Sequence, residues 1–280
     1  MADAPYDAFN VAAILPDFDE LFAQCKVASN AVRARYRSQL DVPYGPEPRN
    51  RIDLFFPPGE AGKRPIHLFI HGGYWRGQMK EDYALVAEGA IAAGAICAIV
   101  EYTLMPDARM AQLVAEVRAA ATWLYDHADE FGGDPARISA SGHSAGAHLC
   151  SFLVARSPHE RHLPETPIQS VLLLSGLYDL RPITTSYLQP TLQLSPEEVA
   201  HWSPFEAVPA SGTHFEIVVG HNETAPFHLQ AQDYAYALER HGVSRERITA
   251  AGHDHMSLVL ELGQPGKPLA ELLRAAVERG

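Results

Sequence analysis

Residues Arg137–Cys150 read RISASGHSAGAHLC. A short β-like run, Arg137–Ser141, meets Gly142-His143-Ser144-Ala145-Gly146, and a helix-prone stretch, Ala145–Val154, follows at once. A strand that turns into a helix within one residue needs a very sharp bend. The residue at its tip is held in strained backbone geometry with its side chain in the open, and flanking glycines remove Cβ atoms that would strike the neighbouring chain. The tip also lies at the positive N-terminal end of a helix, where unpaired N–H groups stabilise an anion. This is the setting a G-x-S-x-G nucleophile elbow requires, and it makes Ser144 the candidate nucleophile. The pattern alone arises by chance roughly one time in ten in a chain of this length. A glycine-rich turn with an ordinary serine is the competing reading, and the flanking sequence has to decide.

Outward from the elbow, apolar runs alternate with helical patterns. Arg51–Phe56, Pro65–Ile70, Ala95–Tyr102, Ser170–Ser175, Phe215–Gly220 and Arg247–Ala250 read as strands. Ala95–Tyr102 (AICAIVEY) is nearly continuous in apolar residues, as a strand buried on both faces must be. Helical spacing marks a first helix over about 17–38, then Lys80–Ala93, Ala108–Phe131, Gln230–His241 and Lys267–Arg279. The segment LDVPYGPEPRN after the first helix reads as turns. The alternation implies an α/β fold: a mostly parallel central sheet with helices on both faces. The whole chain, 1–280, reads as one domain. Leu180–Ala210 breaks the rhythm and reads as a small cap over the strand ends, with Ser195-Pro196-Glu197-Glu198 as a helix start.

Composition narrows the function classes. The chain has 280 residues, 47% of them hydrophobic, and a net charge of −12 with no basic block. Nucleic-acid binding needs a concentrated positive face, so it is not expected. Three scattered cysteines, Cys25, Cys97 and Cys150, form no C-x-x-C and no disulfide framework. MADAPYDAFN carries no positive segment followed by an apolar one, and no run approaches a membrane span. A cytoplasmic protein without a membrane partner is expected, acting on a small molecule.

Loops at the carboxyl ends of parallel strands converge on one crevice. Four stretches fall there: His71–Arg76, the elbow, the residues after Gly220 and the residues after Ala250. A serine hydroxyl needs an adjacent base, and a histidine serves when a carboxylate fixes its tautomer. Glu223 follows one strand end, and His253-Asp254-His255 follows another. The order Ser144, Glu223, His255 is the Ser…Asp/Glu…His order of α/β-hydrolases. N–H groups of Gly72, Gly73 and Ala145 are candidate donors to a developing oxyanion. His253 competes with His255 for the base, and Asp179 with Glu223 for the acid. Tyr74 and Trp75 are candidates to line a substrate pocket, with core packing as the alternative. His71, His143 and His148 read as local hydrogen-bonding or packing residues. H-x-H at 253–255 lacks any full metal signature, so neither metal nor cofactor is expected.

HGGYW, GHSAGAHL, SGLYDL and the closing GHDH resemble the arylformamidase (kynurenine formamidase) group of α/β-hydrolases, near the hormone-sensitive-lipase-like esterases. The resemblance runs from about Tyr44 to Leu260. It implies an α/β-hydrolase fold, Ser144 as nucleophile, His255 as base, Glu223 as acid, and an oxyanion hole at Gly72, Gly73 and Ala145. It also implies hydrolysis of N-formyl-L-kynurenine through an acyl-enzyme, with general carboxylesterase activity as the alternative and a ligand-binding protein without catalysis as a distant third. Two departures stand out. The acid is a glutamate where aspartate is usual, and Met256 follows the histidine where an aromatic residue is common.

Overall fold

A computed structural model describes residues 6–59, 62–163 and 166–280. The reading of the leading residues 1–5 lies outside them. Five strands precede the elbow: β1 (Ser38–Pro43), β2 (Arg51–Phe55), β3 (Arg64–Ile70), β4 (Ile96–Val100) and β5 (Gly133–His143). After it come β6 (Ala155–Arg156), β7 (Ser170–Leu174), β8 (Val208–Pro209), β9 (His214–Gly220) and β10 (Ser244–Ala250). The helices are α1 (Val11–Ile14), α2 (Phe18–Arg35), α3 (Val86–Ala92), α4 (Met110–Asp126), α5 (Ala145–Ser151), α6 (Gln189–Leu192), α7 (Pro196–Trp202), α8 (Ala225–Arg240), α9 (Ser257–Leu262) and α10 (Pro268–Arg279).

Eight strands form the central sheet in the order β1-β2-β4-β3-β5-β7-β9-β10, and β6 pairs with β8 in a separate ribbon. From β4 to β10 every pairing is parallel; β1–β2 and β2–β4 are antiparallel. Alternate residues of one strand serve opposite faces. Ile96, Ala98 and Val100 join the core under α4, α5 and α8, whereas Cys97 and Ile99 join the core under α2, α3, α9 and α10. Burial on both faces is why the central strands are legible as unbroken apolar runs.

The edge departs from the expected reading. The first helix ends at Arg35, not near residue 38, and Ser38–Pro43 is a strand rather than part of a turn. This edge strand is mostly exposed, carries Asp41 at φ 57° in a register shift, and closes on a proline. Polar residues, a bulge and proline all suit an edge and conceal it from an apolar pattern.

Residues 180–210 fold as short helical turns and the two-residue strand β8, packed against the main core. Leu180, Ile183, Leu188, Leu192 and Leu194 sink into the main core. α7 begins with a full capping box: Ser195 Oγ accepts the Glu198 N–H, and Glu198 accepts the Ser195 N–H. Arg109, just ahead of α4, clamps this layer through Glu198 and the carbonyls of Leu192 and Gln193.

Candidate active site

β5 delivers Ser144 to the carboxyl end of the sheet at φ 56°, ψ −119°, in the left-handed half of backbone space. Two glycines permit the bend. A Cβ on Gly142 would lie 2.3 Å from the Gly146 carbonyl oxygen, and one on Gly146 would lie 2.0 Å from that of Ile70. Ser144 N–H donates to the Leu174 carbonyl at 2.8 Å, which fastens the bend to β7. α5 starts at the next residue. Its first N–H groups, that of Ala145 among them, have no acceptor within the helix.

Glu223 and His255 meet beside this bend. His255 Nδ1–H donates to Glu223 Oε2 at 2.7 Å, and both side chains are buried. Glu223 Oε1 accepts the Gly220 N–H at 2.8 Å and the Ser175 hydroxyl. The extra methylene of glutamate is absorbed by this fold-back onto Gly220, where a Cβ would stand 2.6 Å from the His253 carbonyl oxygen and 3.2 Å from Glu223 Oε1. His143, the neighbour of Ser144, donates from Nε2 to the His255 carbonyl at 2.8 Å, and the two rings lie 4.6 Å apart. The elbow is thus bonded to the backbone of the histidine it faces. Burial, then the nearby His255 charge, pushes the His143 imidazole well below its usual range, against the bond to the His255 carbonyl. Among the described residues no hydrogen bond joins Ser144 Oγ to His255.

The competing residues are placed elsewhere. His253 has both ring nitrogens occupied, by the Ala251 carbonyl at 2.9 Å and by Glu261 at 2.7 Å. Asp179 forms a forked pair with Arg181 and faces a cavity of about 800 Å³ within the cap, lined also by Thr184, Gln189, Leu194 and Val199. Asp254 accepts the N–H groups of Met256 and Ser257, holding the turn that carries His255 into α9. One group among the described residues, His214, Glu216 and Glu246, brings ligand-type atoms within 4.8 Å of one another. It lies at the amino ends of β9 and β10, away from Ser144.

The loop after β3 is built for close approach. Gly73 has φ 104°, and a Cβ there would lie 2.2 Å from the Gly77 carbonyl oxygen. Below it, buried His71 touches the Gly72 carbonyl at 2.8 Å and Glu101 at 2.9 Å, stacked 4.4 Å from Tyr102. Burial alone would raise the Glu101 carboxyl. The His71 charge and hydrogen bond, Arg49 and the Lys80 N–H outweigh it and hold the group at about 2. A Cβ on Gly72 would lie 3.1 Å from the His143 carbonyl oxygen and 3.2 Å from Ser144 Cβ, so both glycines bring bare backbone up to the elbow.

Tyr74 and Trp75 part company. Trp75 is wholly buried, and its indole N–H donates to His148 Nδ1 at 3.2 Å. Its place is in the core, not along a pocket. His148 Nε2–H in turn donates to the Trp202 carbonyl at 2.7 Å. One buried imidazole therefore ties the loop after β3, helix α5 and the cap together. Burial lowers its pKa to about 4, against the bond to Trp202. Tyr74 stays at the rim, where its hydroxyl donates to the Phe9 carbonyl at 2.6 Å.

The segment Asp7–Phe9 closes over the site and has no periodic signature that a sequence reading could find. Thr224 Oγ1, next to Glu223, donates to the Ala8 carbonyl at 2.8 Å. Asp7 accepts the Tyr187 N–H from the cap at 2.5 Å. Phe9 meets Phe227 at 6.1 Å, and Phe227 meets the His255 ring at 4.7 Å. Under this cover Ser144 is 2% and His255 5% exposed.

The sheet order, the strained elbow and the histidine–glutamate pair define a hydrolase of the α/β-hydrolase fold. An esterase from the archaeon Pyrobaculum calidifontis superposes with a TM-score of 0.75 at 17% identity, over 93% of this chain and 91% of that one. The BD-FAE family matches residues 52–235, and the chain belongs to that family. Kynurenine formamidase from Danio rerio is 28% identical over 252 residues, covering 88% of this chain and 84% of the relative. Esterase LipC from Mycobacterium tuberculosis is 27% identical, covering 78% of this chain and 60% of LipC. No helix among the described residues is long and apolar enough to cross a membrane.

Proposed function

We propose that the protein is a serine hydrolase that removes a formyl group from an aryl amine, with N-formyl-L-kynurenine as substrate. The 2.7 Å bond from His255 Nδ1 to Glu223 Oε2 beside the elbow carries the mechanism. It fixes the tautomer in which Nε2 has the lone pair. His255 Nε2 takes the Ser144 proton as Oγ attacks the formyl carbon, a contact that tightens when substrate fills the crevice. The oxyanion is received by the N–H groups of Gly72, Gly73 and Ala145. The imidazolium gives its proton to the departing aryl amine, leaving formyl-Ser144. Water, losing a proton to His255, attacks that ester; formate leaves and Ser144 regains its proton.

Two observations favour the formamide. Ser144 is almost wholly covered, which suits the smallest acyl group. The formamidase relative also matches over most of its own length. The similarity to esterase LipC supports a second reading, a carboxylesterase for small esters using the same residues. Buried, unpaired Cys25, Cys97 and Cys150 suit a reducing cytoplasm. The test compares kcat/KM for N-formyl-L-kynurenine with that for short p-nitrophenyl esters. Formamide turnover is expected, and Ser144→Ala is expected to remove nearly all turnover of both. Ester turnover without formamide turnover would leave only the esterase.

A further inference from the structure

We infer that Arg76 is the anchor for a substrate carboxylate and sets a preference for anionic aryl substrates. This rests on the serine-hydrolase reading above and adds the chemistry of the far end of the substrate. Arg76 lies three residues beyond Gly73, and its N–H donates to the Gly73 carbonyl at 3.1 Å, so the oxyanion loop and Arg76 form one tight turn. The side chain is half-buried. Its guanidinium lies 5.3 Å from the Tyr187 ring centroid, and Nη1 donates to Thr191 Oγ1 at 3.2 Å. Among the described residues no carboxylate is ion-paired with it, in a chain of net charge −12. A guanidinium held by the ring and hydroxyl of Tyr187 and the hydroxyl of Thr191 still has N–H groups of its fork left for a planar anion.

A succession of aromatic side chains in contact runs from the catalytic imidazole to this cation. Phe227 lies 4.7 Å from the His255 ring, and Phe9 lies 6.1 Å from Phe227. The Phe9 carbonyl holds the Tyr74 hydroxyl, and Tyr74 meets Tyr187 edge-on at 6.4 Å. Tyr187 carries Arg76. Burial pushes the Tyr74 phenol far up, followed by the charges of Tyr187, Glu223 and Asp7, while Arg76 pulls the other way; one side chain thus feels both ends of the path. An aromatic succession between a hydrolytic centre and an unpaired guanidinium fits a flat aryl group with the scissile bond at one end and a carboxylate at the other.

The test uses N-formyl-L-kynurenine and its methyl ester, which share the formamide and differ in the carboxylate. The wild-type protein is expected to favour the free acid in kcat/KM. Arg76→Gln is expected to shrink that ratio about 10- to 100-fold, mainly through KM, because charge-assisted hydrogen bonds are lost. Arg76→Lys, which keeps the charge without the fork, should fall between. A wild-type ratio near one, or a ratio that Arg76→Gln leaves unchanged, overturns the assignment, since a merely structural Arg76 would slow both substrates equally. If the wild type cleaves neither formamide, the formamidase reading fails by itself. The pair 4-acetoxybenzoate and methyl 4-acetoxybenzoate then decides Arg76 by the same ratio.

Discussion

β9 has a glutamate–histidine pair at each end, and the two pairs differ in everything but residue type. At the carboxyl end His255 bonds Glu223 at 2.7 Å, and the other carboxylate oxygen accepts the Gly220 N–H and the Ser175 hydroxyl. At the amino end His214 Nε2 stands 3.8 Å from Glu216 Oε1, which is taken by Arg279 at 2.7 Å. There Glu216 Oε2 and His214 Nε2 are buried without partners. A carboxylate orients an imidazole when its own remaining valence is filled from the scaffold, because it then has one place left to accept a proton donor. Backbone strain follows the same division. Apart from Asp41 in the edge strand and Gln193 after α6, the non-glycine residues with left-handed φ among those described, Tyr74, Trp75, Gln78, Ser144 and Ser175, lie beyond the carboxyl ends of β3, β5 or β7. Strain held in place by surrounding structure is a mark of a working site.

The largest expected break in this comparison comes from Glu223→Gln. The amide keeps the shape but can present an N–H to Nδ1, which favours the tautomer without a lone pair on Nε2. A drop in kcat of about 100- to 10,000-fold is expected, with stability little changed. Steady-state kinetics beside urea unfolding check it. A variant within tenfold of wild type would remove Glu223 from the relay.

A smaller effect concerns the buried imidazole that joins the oxyanion loop to the cap. His148 titrates at about 4 when folded, against an ordinary value of 6.5. Below pH 6.5 the unfolded chain binds a proton that the folded chain refuses, so stability is flat above that pH and falls as pH drops toward 4. The share of His148 is about 3 kcal/mol over this window. His67, buried between Ser139 and Ser141 and held at about 3, acts in the same direction. His148→Gln can still accept the Trp75 indole N–H and donate to Trp202. Its urea-unfolding free energy should therefore fall less steeply with acid than that of the wild type, and an unchanged slope would refute the account.

Legibility in the sequence follows the same physics. Ile96–Val100 and Ser170–Leu174 stand out because burial on both faces admits only apolar residues. Ser144 stands out because its bend demands Gly142 and Gly146. Glu223 and Asp179 both follow strand ends, and only the third dimension shows which one touches His255. His148 is hidden because a buried histidine satisfied by indole and carbonyl has no local pattern. The Asp7–Phe9 cover is hidden because its partners Tyr74 and Thr224 lie 65 and 216 residues away.

The smallest effect sharpens the comparison most. Glu216→Gln at the amino end of β9 removes a carboxylate that is 1% exposed and paired with Arg279. Because it lies at the opposite end of β9 from Glu223, kcat/KM is expected to stay within about twofold of wild type. The amide can still accept from Arg279, and the pair loses a buried charge together with its attraction, so unfolding free energy should move by about 1 kcal/mol. Kinetics and urea unfolding on the same preparation separate the two readouts. A Glu216→Gln variant as impaired as Glu223→Gln would mean that completion of the carboxylate's hydrogen bonds does not set the two pairs apart.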